Sequence, residues 1–160
     1  VAYIIDGNNV MGQTPGWHRD KPKACRDLLE NVAVFARSRR VRITVVFDGA
    51  PNPSIPEGSS FKGVKVLYAN RGSDADSRIV KMVESSPDSR GLTVVTSDRH
   101  LAFLVRSRGA SVLRSGEFRK LMQEASLEPE ASKATAEDFK ESTDEWLRYF
   151  GFLPTDDESG

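Results

Sequence analysis

The stretch "YIIDGNNVMG", residues 3–12, holds the key to the fold. Three apolar residues run directly into Asp6, and Gly7, Asn8 and Asn9 follow. A short apolar run closed by a turn-forming residue reads as a buried strand. The same signature recurs at 43–47 (ITVVF), 64–68 (VKVLY), 92–96 (LTVVT) and 111–113 (SVL). Helical patterns fill most gaps: Pro22–Arg40, Ala75–Ser86 before Pro87, Arg99–Ser107 and Glu117–Ala125. Strands alternating with helices predict a three-layer α/β/α, Rossmann-like fold with a parallel sheet of about five strands. In the order of those runs, right-handed crossovers give the sheet order 3-2-1-4-5. Residues 49–63 (GAPNPSIPEGSSFKG) are too rich in Pro, Gly and Ser for regular structure, and loops of this length are usually lids or binding loops.

The carboxylates follow the strands. Asp6 ends the first run and Asp48 the second; Asp74 and Asp76 open the helix after the third; Asp98 follows the fourth. In an open parallel sheet, ligands bind beyond the carboxyl ends of the strands, where the strand order reverses. The predicted order puts that reversal between the first and fourth strands. It therefore brings Asp6 and Asp98 together, with Asp48, Asp74 and Asp76 close by. Clustered carboxylates in a cleft must take up protons or a cation. Oxygen ligands without His or Cys favour Mg²⁺ or Mn²⁺. A simpler account exists for each residue: Asp-Gly turn pairs at Asp6 and Asp48, a capping box from Ser73 to Asp76, an N-cap at Ser97 or Asp98.

Lys+Arg and Asp+Glu balance at 23 each, but unevenly along the chain. Residues 1–123 carry 20 basic and 12 acidic side chains, net +8; residues 124–160 carry 3 and 11, net −8. A basic body suits a polyanionic partner. The single cysteine, Cys25, excludes an internal disulfide and a cysteine zinc site and suits a reducing, cytoplasmic setting. The apolar run Val1–Ile5 reads as neither signal peptide nor membrane span. Other phosphate chemistries fail on their motifs. Gly7 and Gly12 frame no P-loop, since Gln13 stands where Lys is needed, and no G-x-G-x-x-G occurs. A haloacid-type phosphatase needs a second Asp where Asn8 stands, and a receiver-type domain needs paired acids and a late Lys.

The segments "IIDGNNVMG", "VVFDGA", "DADSRIVKMV" and "VVTSDRHL", in this order, resemble the YacP-like group of NYN domains in the PIN-like nuclease superfamily. The resemblance spans about residues 2–123, and residues 1–125 are taken as the nuclease domain. It implies a PIN-like fold and a metal-dependent endoribonuclease acting in RNA processing or decay, in some relatives at the ribosome. It maps the acidic site onto Asp6, Asp76 and Asp98, with Asn9 as the D-G-x-N asparagine and Asp48 at a commonly acidic position. Asp74 either supplements this site or caps the helix. Asn9 either orients Asp6 or a bound water, or serves as a turn amide. Gly7 is expected to let the chain turn tightly and to clear space for substrate.

RNA as the partner would be gripped through phosphates, with Arg71, Arg78, Arg99, Lys62 and Lys65 as candidates. Arg37, Arg39, Arg40 and Arg42 fall at the opposite end of the sheet and read as a solvated face. Trp17 either stacks on a base or packs inward. The alternative function is a catalytically silent RNA- or ribosome-binding module. Beyond the domain, residues 126–136 read as a linker, 137–152 as an amphipathic helix and 153–160 as an acidic, disordered tail. Phe139, Trp146 and Phe150 would dock that helix on the core or on a partner protein. The tail departs from the longer, more basic extension of many relatives.

Overall fold

The structure, a computed structural model, describes residues 2–69 and 74–127. Arg71 and the expected linker, C-terminal helix and tail from residue 128 onward lie outside the described residues. Strand β1 (Ala2–Asp6) leads into helix α1 (Gly7–Met11), a 3-10 turn (Trp17–Arg19) and helix α2 (Lys21–Arg39). Strands β2 (Arg42–Asp48), β3 (Ser60–Phe61) and β4 (Val64–Ala69) follow, then helix α3 (Ala75–Ser85). Strand β5 (Leu92–Val95), helix α4 (Arg99–Arg106), strand β6 (Ser111–Leu113) and helix α5 (Ser115–Ser126) complete the described domain.

The sheet order is β3-β4-β2-β1-β5-β6. Every pairing is parallel except the antiparallel β3–β4. The five expected strands thus take their expected order, and β3 adds a short edge. Alternation of side chains across the pleat divides the core between the two faces. Ile5, Val45, Val66 and Val95 pack with Leu29, Val32 and Phe35 of α2 and Phe118 of α5. Their neighbours Ile4, Val46, Leu67 and Val94 pack with Ile79 and Val83 of α3 and Leu101 and Val105 of α4. Tyr3, Phe35 and Phe118 stack across the first layer, with Phe35 and Phe118 edge to face at 5.1 Å. Trp17 is half-buried against this layer, with Lys21 Nζ 5.6 Å above its ring, so packing accounts for it.

Two local features differ from expectation. Gly7 begins α1 instead of making a left-handed turn. A Cβ on Gly7 would lie 2.6 Å from the Phe47 ring, so the glycine serves close packing of α1 on β2. The loop at 49–63 is fastened along β4. Gly58 N–H donates to the Val66 carbonyl at 2.7 Å and Tyr68 OH to the Ile55 carbonyl at 2.6 Å. The tight β3–β4 turn places Lys62 (φ 49°) and Gly63 (φ 91°) in the left-handed region. The loop therefore covers an edge strand that would otherwise expose unpaired backbone groups.

Candidate functional site

β1 lies between β2 and β5, with α2 and α5 on one face and α3 and α4 on the other. The carboxyl ends of β1 and β5 therefore form the switch point of the sheet. Asp6 closes β1 there and is only 5% exposed. Its Oδ2 accepts a 2.9 Å hydrogen bond from the hydroxyl of Thr96, itself fully enclosed. Thr96 Oγ1 in turn accepts the Asp98 N–H at 3.1 Å, so a single threonine links the two strand ends. Burial raises the Asp6 pKa from 3.8 to about 6; the Thr96 and Asn9 N–H bonds oppose this, and the charges of Asp76 and Asp48 add to it.

Asp76, in the first turn of α3, is raised by the same causes: burial first, then the charges of Asp98, Asp74 and Asp48. His100, in the first turn of α4, acts on Asp76 in the opposite sense. Asp48, Asp76, Asp98 and Asp6 therefore share one electrostatic neighbourhood. Among the described residues no Lys or Arg forms an ion pair with any of them.

Structural duties overlap with this clustering. Asp98 caps α4, its Oδ1 accepting from His100 N at 2.8 Å and Leu101 N at 3.2 Å. Asp48 Oδ1 accepts from Ala75 N at 2.8 Å and so fixes the start of α3. Asp74 is exposed and caps α3 through Ser77 N at 2.8 Å, a bond that lowers its pKa. Asp74 thus caps α3, and its charge also bears on Asp76. Asn9 does not turn its side-chain oxygen to Asp6. That oxygen accepts from Ser97 N (2.8 Å) and Ser115 Oγ (2.6 Å), and it is the Asn9 backbone that reaches Asp6. Asn8 Oδ1 does the matching job on the other side, accepting Asp48 N at 2.8 Å.

Among the described residues no three His, Cys, Asp or Glu side chains converge as a finished metal-ligand set. The donor chemistry nevertheless fits a hard divalent cation: carboxylate oxygens, no sulfur, and charge without a cationic partner. Mg²⁺ in particular keeps several waters and needs only one or two carboxylates.

The basic candidates divide. Arg99 opens α4 beside Asp98. It lines a concavity of about 510 Å³ with Thr96, Asp98, Arg106 and Arg114. Arg78 pairs with Glu57 at 2.8 Å and also donates to the Tyr68 carbonyl, tying α3 to the covering loop. Lys62 and Lys65 lie away from the acidic end of the sheet. Lys62 precedes β4 and pairs with Glu30 of α2 at 2.8 Å, and Lys65 is the second residue of that strand. Parallel β4 reaches the acidic end only at Ala69, opposite Asp48, so both lysines lie toward the far edge. Arg42 starts β2 at that same amino end. Thr96, Ser115, Arg106 and Arg114 are not singled out by the sequence, and Ser97 is singled out only as a helix cap. The seven-residue spacing of Arg99 and Arg106 is the one signal that places two of them on one helix face.

The sequence matches the YacP-like NYN domain family over residues 3–148. The chain belongs to that family. YacP-like NYN domains fall in the PIN-like nuclease superfamily, whose members usually depend on divalent metal. The fold is similar to crystal structures of Rae1 (YacP) from Bacillus subtilis. One aligns with a TM-score of 0.70 at 21% identity over 94% of this chain and 92% of that one. A tryptophan-to-leucine mutant of the same protein aligns with a TM-score of 0.65 at 19% identity, over 94% and 82%. No curated protein matches the sequence. In this YacP-like domain, no helix among the described residues is long and apolar enough to cross a membrane.

Proposed function

We propose that this YacP-like NYN domain is a metal-dependent endoribonuclease. One observation carries the reading. Asp6 is buried at the sheet's switch point, its pKa lifted to about 6 by burial and by the charges of Asp76 and Asp48, and among the described residues no Lys or Arg pairs with these carboxylates. Such an arrangement costs stability unless a cation is supplied. Asp6, Asp76 and Asp98 are the proposed ligands, with Asp48 assisting. When bound, Mg²⁺ or Mn²⁺ supplies Lewis-acid stabilisation of a phosphoryl group and lowers the pKa of water.

The remaining work falls to the chain. Thr96 and the Asn9 backbone hold Asp6 in place, and Asn9 Oδ1 fixes the 96–98 connection through Ser97 N. Asn9 is therefore a positioning residue. The reaction is hydrolysis: a water oxygen bonds to phosphorus, the opposite P–O bond breaks, and the departing oxygen takes up a proton. RNA is the proposed substrate by family membership, with the basic body of the chain favouring a polyanion.

The test is an end-labelled RNA carrying single-stranded and hairpin segments, incubated with Mn²⁺, Mg²⁺ or EDTA, with Asp6→Asn in parallel. Internal cuts that need the metal and vanish in the variant are expected. Cutting indifferent to EDTA and to the variant refutes the assignment. Binding without cutting would make the chain a silent RNA-binding module.

A further inference from the structure

We infer that Arg99, Arg106 and Arg114 form the phosphate grip for the strand flanking the cleavage point, so that RNA leaves the acidic centre across α4 toward β6 and α5. This rests on the nuclease reading for its substrate. All three side chains are exposed and line a single concavity of about 510 Å³, whose wall includes Asp98 and Thr96.

Several other arginines among the described residues already have a partner. Arg26 donates to Ser54, Arg78 pairs with Glu57, Arg108 with Glu84, and Arg119 donates to the Gln13 carbonyl. Among the described residues, the side chains of Arg99, Arg106 and Arg114 bond to none. Arg99 and Arg106 come from opposite ends of α4, and Arg114 from the connection between β6 and α5. Helix α4 and the β6–α5 connection therefore bring three guanidinium groups to one hollow beside the acidic site.

Such groups repel one another and form no ion pair among the described residues. They suit a ligand with regularly repeated anionic oxygens, which guanidinium groups bind in bidentate fashion. A single-stranded RNA backbone offers this, and its scissile phosphate would sit at Asp98 as flanking phosphates enter the hollow. The opposite side of the acidic centre offers less, because Arg78 is committed to Glu57 and the Tyr68 carbonyl.

Binding of a fluorescein-labelled oligouridylate, measured in EDTA across a KCl series, tests this without requiring cleavage. The Arg99→Gln/Arg106→Gln/Arg114→Gln variant is expected to bind about tenfold or more weakly at moderate salt. Its log K against log salt slope should be shallower by about 2, since each phosphate released on a single strand contributes roughly 0.7. The corresponding lysine variant should keep most of the slope. Arg42→Gln/Lys65→Gln, at the far edge of the sheet, should bind like wild type. An unaltered slope in the triple variant, or a wild-type protein that binds no RNA, overturns the inference. If the wild type cuts no RNA yet the triple variant loses its slope, the nuclease reading falls and the grip stands. The converse result, cutting that needs Asp6 with binding indifferent to the three arginines, removes the grip alone.

Discussion

Burial holds the Asp6 carboxyl at about 6, against 3.8 in a solvated chain. The folded protein therefore holds this proton more tightly than the unfolded chain does. Between those two values stability falls as pH rises, and above about 6 the whole cost of about 3 kcal/mol is present. Metal-free Asp6→Asn should accordingly melt above metal-free wild type near neutral pH, the gap closing below about pH 4, as thermal denaturation across a pH series would record. A variant that melts lower at neutral pH would mean that Thr96 compensates the charge fully. Gly7 makes a second residue-scale case. Gly7→Ala forces a Cβ to within 2.6 Å of the Phe47 ring. It should cost about 1–3 kcal/mol by overpacking, read by urea denaturation, and Phe47→Leu should recover part of the loss.

At the scale of elements, the acidic residues hold two posts at once. Asp98 starts α4 and stands in the charge cluster. Asparagine keeps the cap and removes the charge, whereas alanine loses both. Asp98→Asn should leave the melting temperature near wild type and abolish cleavage. Asp98→Ala should abolish cleavage and also cost about 0.5–2 kcal/mol, a split that paired melting and nuclease assays would resolve. This overlap explains why capping spacing near Asp74, Asp76 and Asp98 left the sequence reading open: a cap and a ligand place the same residue type at the same helix start. α1 was missed for a related reason. Five residues are too few to nucleate a helix alone. It is held by Asn8 and Asn9 bonding to Asp48 N and Ser97 N, some 40 and 88 residues further along the chain.

Across the whole molecule, a cation that binds only the folded site must raise its stability. Mn²⁺ or Mg²⁺ should raise the melting temperature of wild type and leave that of Asp6→Asn unmoved; an equal rise in both would place the cation elsewhere. The Lys62→Gln/Lys65→Gln variant should cleave like wild type, because Lys62 precedes β4 and Lys65 lies at its amino end, away from Asp6. Sequence periodicity determined the strands, the long helices, the sheet order and the run of aspartates at strand ends. Those features depend on local apolar pattern and on the handedness of crossovers, which act through neighbouring residues. The tertiary structure alone decided which polar groups meet. Thr96 reaches Asp6 across two paired strands, Asn9 reaches Ser115 in the last described helix, and Arg106 and Arg114 meet in one hollow. Each pairing is made by hydrogen-bond reach or shared solvent between elements far apart in the chain, and no periodicity in the sequence encodes that separation.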